Sequence, residues 1–191
     1  MRKLIASEFV SLNGVAEAPE TWHFPFIDDQ FQAEINASIH SSDALLLGRT
    51  TYEIFAASWP LRTQNEFGIA DKLNAMPKHV VSTTLERAEW NNSSIIRGEH
   101  WAEEISRLKR QPGGDIGIMG SAKLVRSLLQ LNLIDELRLW VHPIVVNGGA
   151  HLFHDGLGSH SMRLLESKTH EKGVVTVLYR PIPVQAMMSH T

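Results

Sequence analysis

Three short strings bring small, hydroxyl-bearing and cationic residues together in patterns suited to holding an anion. Gly48-Arg49-Thr50-Thr51 follows the apolar run 44–47 and opens a helical pattern. Amides at a helix start lack carbonyl partners and attract phosphate, threonine hydroxyls add donors, and the Arg49 fork can grip a phosphomonoester through two charge-assisted hydrogen bonds. A solvent-exposed turn with a capping threonine accounts for the same string. Met119-Gly120-Ser121-Ala122, continuing into Lys123 and Leu124, offers a second helix start where small residues admit a ligand to the backbone. Tight packing of a helix on a strand would select the same residues. Ser82-Thr83-Thr84 sets three hydroxyls at another strand end, a pattern that on its own is a turn. The spacing of Gly114, Gly117 and Gly120 is not a dinucleotide fingerprint, and no serine-hydrolase elbow or P-loop string occurs.

Three further groups have competing roles. Asp28 can cap a helix, or, if buried with a raised pKa, it can bind an N–H pair and assist proton delivery. Trp22, Phe24 and Phe26 can line a pocket, cover the core or meet a second subunit. His151, His154 and His160, with Asp155 nearby, make a metal site conceivable, although ordinary loop histidines explain them equally and no metal ligand is assigned.

The positioning elements follow from periodicity. A first strand is expected over 3–9, followed by a long connection. A helix capped by Asp28 or Asp29 then buries Phe31, Ile35 and Ile39. The unalternating run 44–47 suits a strand buried on both faces, and Tyr52, Phe55, Ala56 and Trp59 make a helical face that Pro60 ends. A short helix is expected over 70–73 and strands over 78–82 and 94–97. A helix bearing Trp101, Ile105 and Leu108 is followed by a strand over 115–119. After Gly120-Ser121 comes a helix with the stripe Leu124, Val125, Leu128 and Leu129. Along 137–142, Leu137, Leu139 and Val141 alternate with Arg138, Trp140 and His142, which predicts a strand with unlike faces. Segments 162–169 and 174–179 are expected to form a closing hairpin through Lys172-Gly173, and a frayed tail is expected from Pro181. Strand-helix alternation ending in antiparallel strands predicts an α/β fold with a mostly parallel sheet.

Length and composition agree. The chain has 191 residues, 43% of them hydrophobic and 20% charged, so one domain over 1–183 with a tail at 184–191 is expected. A net charge of -3 excludes the basic footprint of a general nucleic-acid binder. The lack of cysteine removes disulfides and thiolate chemistry. No signal-peptide core or membrane-length apolar run is visible, so a cytoplasmic protein without membrane or nucleic-acid partners is expected.

In order, Gly48-Arg49-Thr50-Thr51-Tyr52-Glu53, Val80-Val81-Ser82-Thr83-Thr84 and Ile118-Met119-Gly120-Ser121-Ala122 resemble the NADPH site of the dihydrofolate reductase fold. Within that superfamily the chain is most similar to the reductase domain of bacterial riboflavin biosynthesis, the RibD C-terminal type. Val10-Ser11-Leu12-Asn13-Gly14, Gly120-Ser121-Ala122-Lys123-Leu124 and Ile134 to Val145 match it together with the Gly48 string. Asn13 stands where that family usually has Asp, and Ser121 where dihydrofolate reductases have a second glycine. The resemblance implies a three-layer α/β/α architecture and NADPH as cofactor. Arg49 would hold the 2'-phosphate, Thr50 and Thr51 the pyrophosphate, and Ser82, Thr83 and Thr84 the adenosine end. Met119 to Leu124 would line the pyrophosphate and nicotinamide side, with Ser7, Val15 and Ala16 bordering the nicotinamide. Trp22, Pro25 and Asp28 resemble the tryptophan, proline and helix-starting carboxylate of dihydrofolate reductases, so Trp22 and Asp28 would face the substrate, Asp28 as catalytic acid or helix cap. It further implies reduction of 5-amino-6-(5-phosphoribosylamino)uracil or a related small substrate, and a homodimer. A pterin reductase and an NADPH-binding module without turnover remain alternatives, and the chain lacks the deaminase domain of the bifunctional riboflavin enzyme.

Overall fold

The computed structural model describes residues 1–154 and 157–182. Its strands are β1 (Leu4–Ser11), β2 (Ser42–Gly48), β3 (Lys78–Val81), β4 (Ser93–Ile96), β5 (Asp115–Met119), β6 (Glu136–His142), β7 (Ser161–Thr169) and β8 (Val175–Ile182). The α-helices are α1 (Asp29–His40), α2 (Arg49–Ser58), α3 (Ala70–Ala75), α4 (Trp101–Arg110) and α5 (Ala122–Gln130). All eight strands join one sheet in the order β4-β3-β2-β5-β1-β6-β8-β7. The six from β4 to β6 run parallel, while β8 is antiparallel to β6 and β7 to β8.

Two cores sandwich the sheet. On one face Phe31, Ile35 and Ile39 of α1, Tyr52 of α2 and Leu73 of α3 pack on Leu45, Leu47, Val80 and Trp140. On the other, Ile105 of α4 and the Leu124, Val125, Leu128 and Leu129 stripe of α5 pack on Leu4, Ala6, Leu46, Ile116 and Ile118. The alternation of Leu45, Leu46 and Leu47 between the cores is why the 44–47 run has no polar face. Helices therefore cover both faces of a mostly parallel sheet, the expected three-layer arrangement. Among the described residues no helix is long and apolar enough to cross a membrane.

On the α1 face of β6, Trp140 and His142 are 1% and 0% exposed, buried under α1 and the 12–28 connection. One expectation is corrected: Pro181 and Ile182 do not begin a tail but close β8 opposite Met162 and Ser161. The remaining tail, 184–191, lies outside the described residues.

Candidate functional site

Ser82, Arg49 and Gly120 leave the carboxyl ends of three adjacent strands. Gly48 is in register with Val81, and Leu46 with Ile118, which sets the exits of β3, β2 and β5 along one rim. Open α/β sheets bind ligands outside such strand ends. Ser121 binds two of the exits together. Its Oγ accepts the Gly48 N–H at 2.8 Å and donates to Thr51 Oγ1 at 2.8 Å. The close approach fixes residue size: a Cβ on Gly48 would lie 3.1 Å from Ser121 Oγ, and one on Gly120, at φ +60, would lie 3.3 Å from Thr51 Cγ2. Ser121 itself has φ 68 and ψ 47, a left-handed conformation costing about 1 kcal/mol for a residue with a Cβ.

Neither α2 nor α5 receives a side-chain cap at its N-terminus, so the first-turn amides of both face the rim without that acceptor. Thr50 and Lys123 are exposed and Thr51 is half-buried. The Arg49 side chain is half exposed and its contact with Glu53 is a 3.4 Å pair one helical turn away, too weak to hold the guanidinium in place. At the third exit Ser82 Oγ accepts from the amides of Thr84 and Leu85 at 3.2 and 2.9 Å, leaving Thr83 and Thr84 exposed. Arg97, at the end of β4, braces this turn through the carbonyls of Leu85 and Glu86.

Ser7 lies in register with Met119 and is 8% exposed. Beyond it the 12–17 and 144–152 segments are laced together. Leu12 N–H donates to Ile144 O at 2.8 Å, Ala16 N–H to Ala150 O at 2.9 Å and Leu152 N–H to Gly14 O at 2.8 Å. Asn13 both accepts from Val146 N at 3.0 Å and donates to Val146 O at 2.9 Å. A carboxylate there could make only the first of these bonds, a physical reason for Asn in this position. Val15 and Leu124 are core side chains, 1% and 7% exposed, so only their backbones could face a ligand.

Asp28 is at the opposite end of the 12–28 connection. Its Oδ1 accepts from Phe31 N at 2.8 Å, capping α1, and its Oδ2 accepts from Lys172 N at 3.1 Å, docking the hairpin turn. The Phe31 bond holds its carboxyl below the ordinary range, with Lys172 and His170 adding to the effect against a smaller cost of desolvation. The condition for proton delivery, a buried carboxyl with a raised pKa, is not met. Trp22 is buried edge-on against His142, ring centroids 5.2 Å apart, and Phe26 packs on the same imidazole at 6.0 Å, so both cover the core. Among the described residues no group of three His, Asp or Glu side chains is placed to hold a metal ion. Asp155 lies outside them.

Residues 2–176 match the model of the RibD C-terminal domain. The chain belongs to that family. Among relatives of this RibD C-terminal domain, the uncharacterized protein YyaP of Bacillus subtilis (strain 168) is 29% identical over 186 residues, covering 93% of this chain and 94% of YyaP. A Shewanella sp. PV-4 protein named for riboflavin biosynthesis superposes with a TM-score of 0.75 at 18% identity, over 95% of this chain and 99% of its own. Dihydrofolate reductase from Enterococcus faecalis, complexed with NADP(H), gives 0.61 at 16% identity over 95% and 97%. At those identities the likeness establishes a shared fold, a dihydrofolate reductase-like α/β architecture.

Three polar groups of this RibD C-terminal domain were not singled out from the sequence as site candidates. Glu8, on the α5 face of β1, is 1% exposed, its Oε1 has no hydrogen-bond partner, and burial pushes its carboxyl up to about 8, only partly opposed by Arg126. His142 Nδ1 donates to Trp140 O at 2.8 Å, and burial lowers the pKa of the ring, which keeps it neutral. Arg138 lines cavities on the α1 face of the sheet. The polar alternation of β6 was the available signal for Arg138 and His142; Glu8 had none, since a lone Glu in a strand reads as an exposed residue.

Proposed function

We propose that this chain is an NADPH-dependent reductase acting on a small substrate held on the α1 side of Ser7. The supporting observation is the Ser121 knot, which fixes two uncapped helix starts beside an uncommitted arginine on a single rim. Those residues fit an extended dinucleotide. Gly48 and Gly120 let the Ser121 and Thr51 side chains draw the two strand exits together, and the amides of α2 and α5 suit a pyrophosphate. Arg49 would hold a 2'-phosphate bidentately, and the exposed Thr83 and Thr84 would meet the adenosine end. When bound, NADPH would supply the hydride. The chain itself would hold the reactants in register over Ser7 and Met119, and the laced 12–17 and 144–152 segments would limit water there.

The first substrate to test is 5-amino-6-(5-phosphoribosylamino)uracil, reduced at its ribose carbonyl. Reduction of a pterin draws no support from Asp28, whose carboxylate caps α1. The experiment is a titration with NADPH followed by its oxidation in the presence of the phosphoribosyl pyrimidine or dihydrofolate. Tight NADPH binding with turnover of the pyrimidine is expected. Binding without oxidation by either substrate would favour a non-catalytic module, and no binding would overturn the proposal.

A further inference from the structure

An open cavity of about 380 Å³ lies between α1 and the β6–β8–β7 half of the sheet, lined by Gln30, Glu34, Arg138, Glu166, Lys168 and Thr176 among others. Its size falls within the roughly 300–1,000 Å³ typical of small-molecule sites. Its polar groups are unequally satisfied. Glu34 Oε1 accepts from Trp140 Nε1 at 2.9 Å and Thr176 Oγ1 at 2.7 Å, and its Oε2 lies 3.2 Å from His170 Nε2 and 3.7 Å from Lys168 Nζ. Arg138 has no such match. Its Nη1 reaches Ser7 Oγ at 3.4 Å and its guanidinium lies 6.0 Å from the Trp140 ring, but no ion pair with a carboxylate engages it among the described residues. A guanidinium cannot shed its charge, so a half-buried one without a counter-ion is a ready site for an anion.

Register ties this cavity to the rim. Met119, Ser7, Arg138, Leu178 and Glu166 form one row across β5, β1, β6, β8 and β7. Ser7 and Arg138 also share a narrow cleft with Ser38 and Ile39 of α1, which places both on the α1 face. With strands spaced by about 4.8 Å, Arg138 is ~5 Å from Ser7 and ~10 Å from Met119 across the sheet.

We infer that the Arg138 cavity is an oxyanion subsite, binding a phosphate monoester or carboxylate that the substrate carries a short arm away from its reducible group. Arg138 grips the anion, Lys168 stays with Glu34, 3.7 Å away, and the exposed Glu166 accepts from N–H or O–H donors on the same molecule. The anion subsite follows from the cavity itself; only its link to a reducible group rests on the proposed reductase function.

The test is a titration of the whole protein, in phosphate-free buffer, with ribose 5-phosphate, inorganic phosphate and glutarate, followed by the NMR resonances of the Trp140 indole N–H and Arg138 Nε–H. Saturable shifts are expected with at least one probe, and which probes act separates phosphate from carboxylate. Arg138→Met should weaken binding about 10-fold or more, whereas Arg87→Met, at an exposed site elsewhere, should not. Should Arg138→Met not fold, Arg138→Lys takes its place and should weaken binding through loss of the fork. No saturable shift in the wild type, undiminished binding in the Arg138 variant, or shifts that follow protein concentration because a second copy covers the cavity would each overturn the inference. NADPH titration of the wild type separates the two ideas: anion binding without NADPH binding leaves the subsite standing and removes the reductase, and the reverse does the opposite.

Discussion

The Ser121 hydroxyl takes the amide hydrogen of Gly48, 73 residues earlier in the chain, at 2.8 Å, and it does so from a left-handed backbone. A residue in that conformation is retained despite its strain when its side chain does something glycine cannot. Here that is to join the starts of α2 and α5.

Ser121→Ala and Ser121→Gly should therefore differ. Both lose the bonds to Gly48 and Thr51, worth about 1–3 kcal/mol together, but glycine also relieves the backbone by about 1 kcal/mol. Urea unfolding should rank wild type above Ser121→Gly, and Ser121→Gly above Ser121→Ala. Both variants should bind NADPH more weakly.

Arg49→Ala should weaken NADPH binding about 10- to 100-fold and NADH binding hardly at all, because only the former has a 2'-phosphate for the guanidinium to meet. Competitive titration of the two cofactors checks this, and equal losses would refute the assignment.

Asp28 separates capping from catalysis. Asn also caps well, so Asp28→Asn should unfold near the wild-type midpoint and retain turnover, while Asp28→Ala should unfold earlier. Loss of turnover in a stable Asp28→Asn protein would restore the carboxylate to the chemistry.

Glu8 predicts a falling stability on the neutral side. Its carboxyl titrates near 8 in the folded protein against an ordinary 4.5, so between these values the folded form keeps a proton that the unfolded chain has released. Stability then decreases as pH rises, by about 1.4 kcal/mol per pH unit. His23, lowered by burial from 6.5 to about 4, acts oppositely below 6.5, and Lys78, lowered by burial from 10.5 to about 8, acts oppositely above 8. The window from 6.5 to 8 isolates Glu8. Unfolding free energy should drop there by about 2 kcal/mol in the wild type and stay flat in Glu8→Gln.

What the sequence disclosed depended on how local the cause was. Phe31, Ile35 and Ile39 announce a helix because their burial follows from its period, and Gly48 and Gly120 mark strand exits because a turn and a close approach both need a small residue. The Ser121 knot was legible only as small residues at two separate helix starts, since a bond across 73 positions leaves no local pattern. On β6, Arg138, Trp140 and His142 alternate with Leu137, Leu139 and Val141, which marks unlike faces. Trp140 and His142 lie under α1 and the 12–28 connection, which accommodate an indole N–H on Glu34 and an imidazole among aromatic rings, whereas Arg138 lines the open cavity. Periodicity reports that two faces differ and not what covers each of them.

The lacing of 12–17 to 144–152 bears on motion. With Leu12, Gly14, Ala16 and Asn13 all bonded to the later segment, neither stretch can lift from the sheet while the other stays down. The two hinge as a pair, so their amide hydrogens should exchange with solvent at a common rate, and an insertion into one would disturb the opening of both.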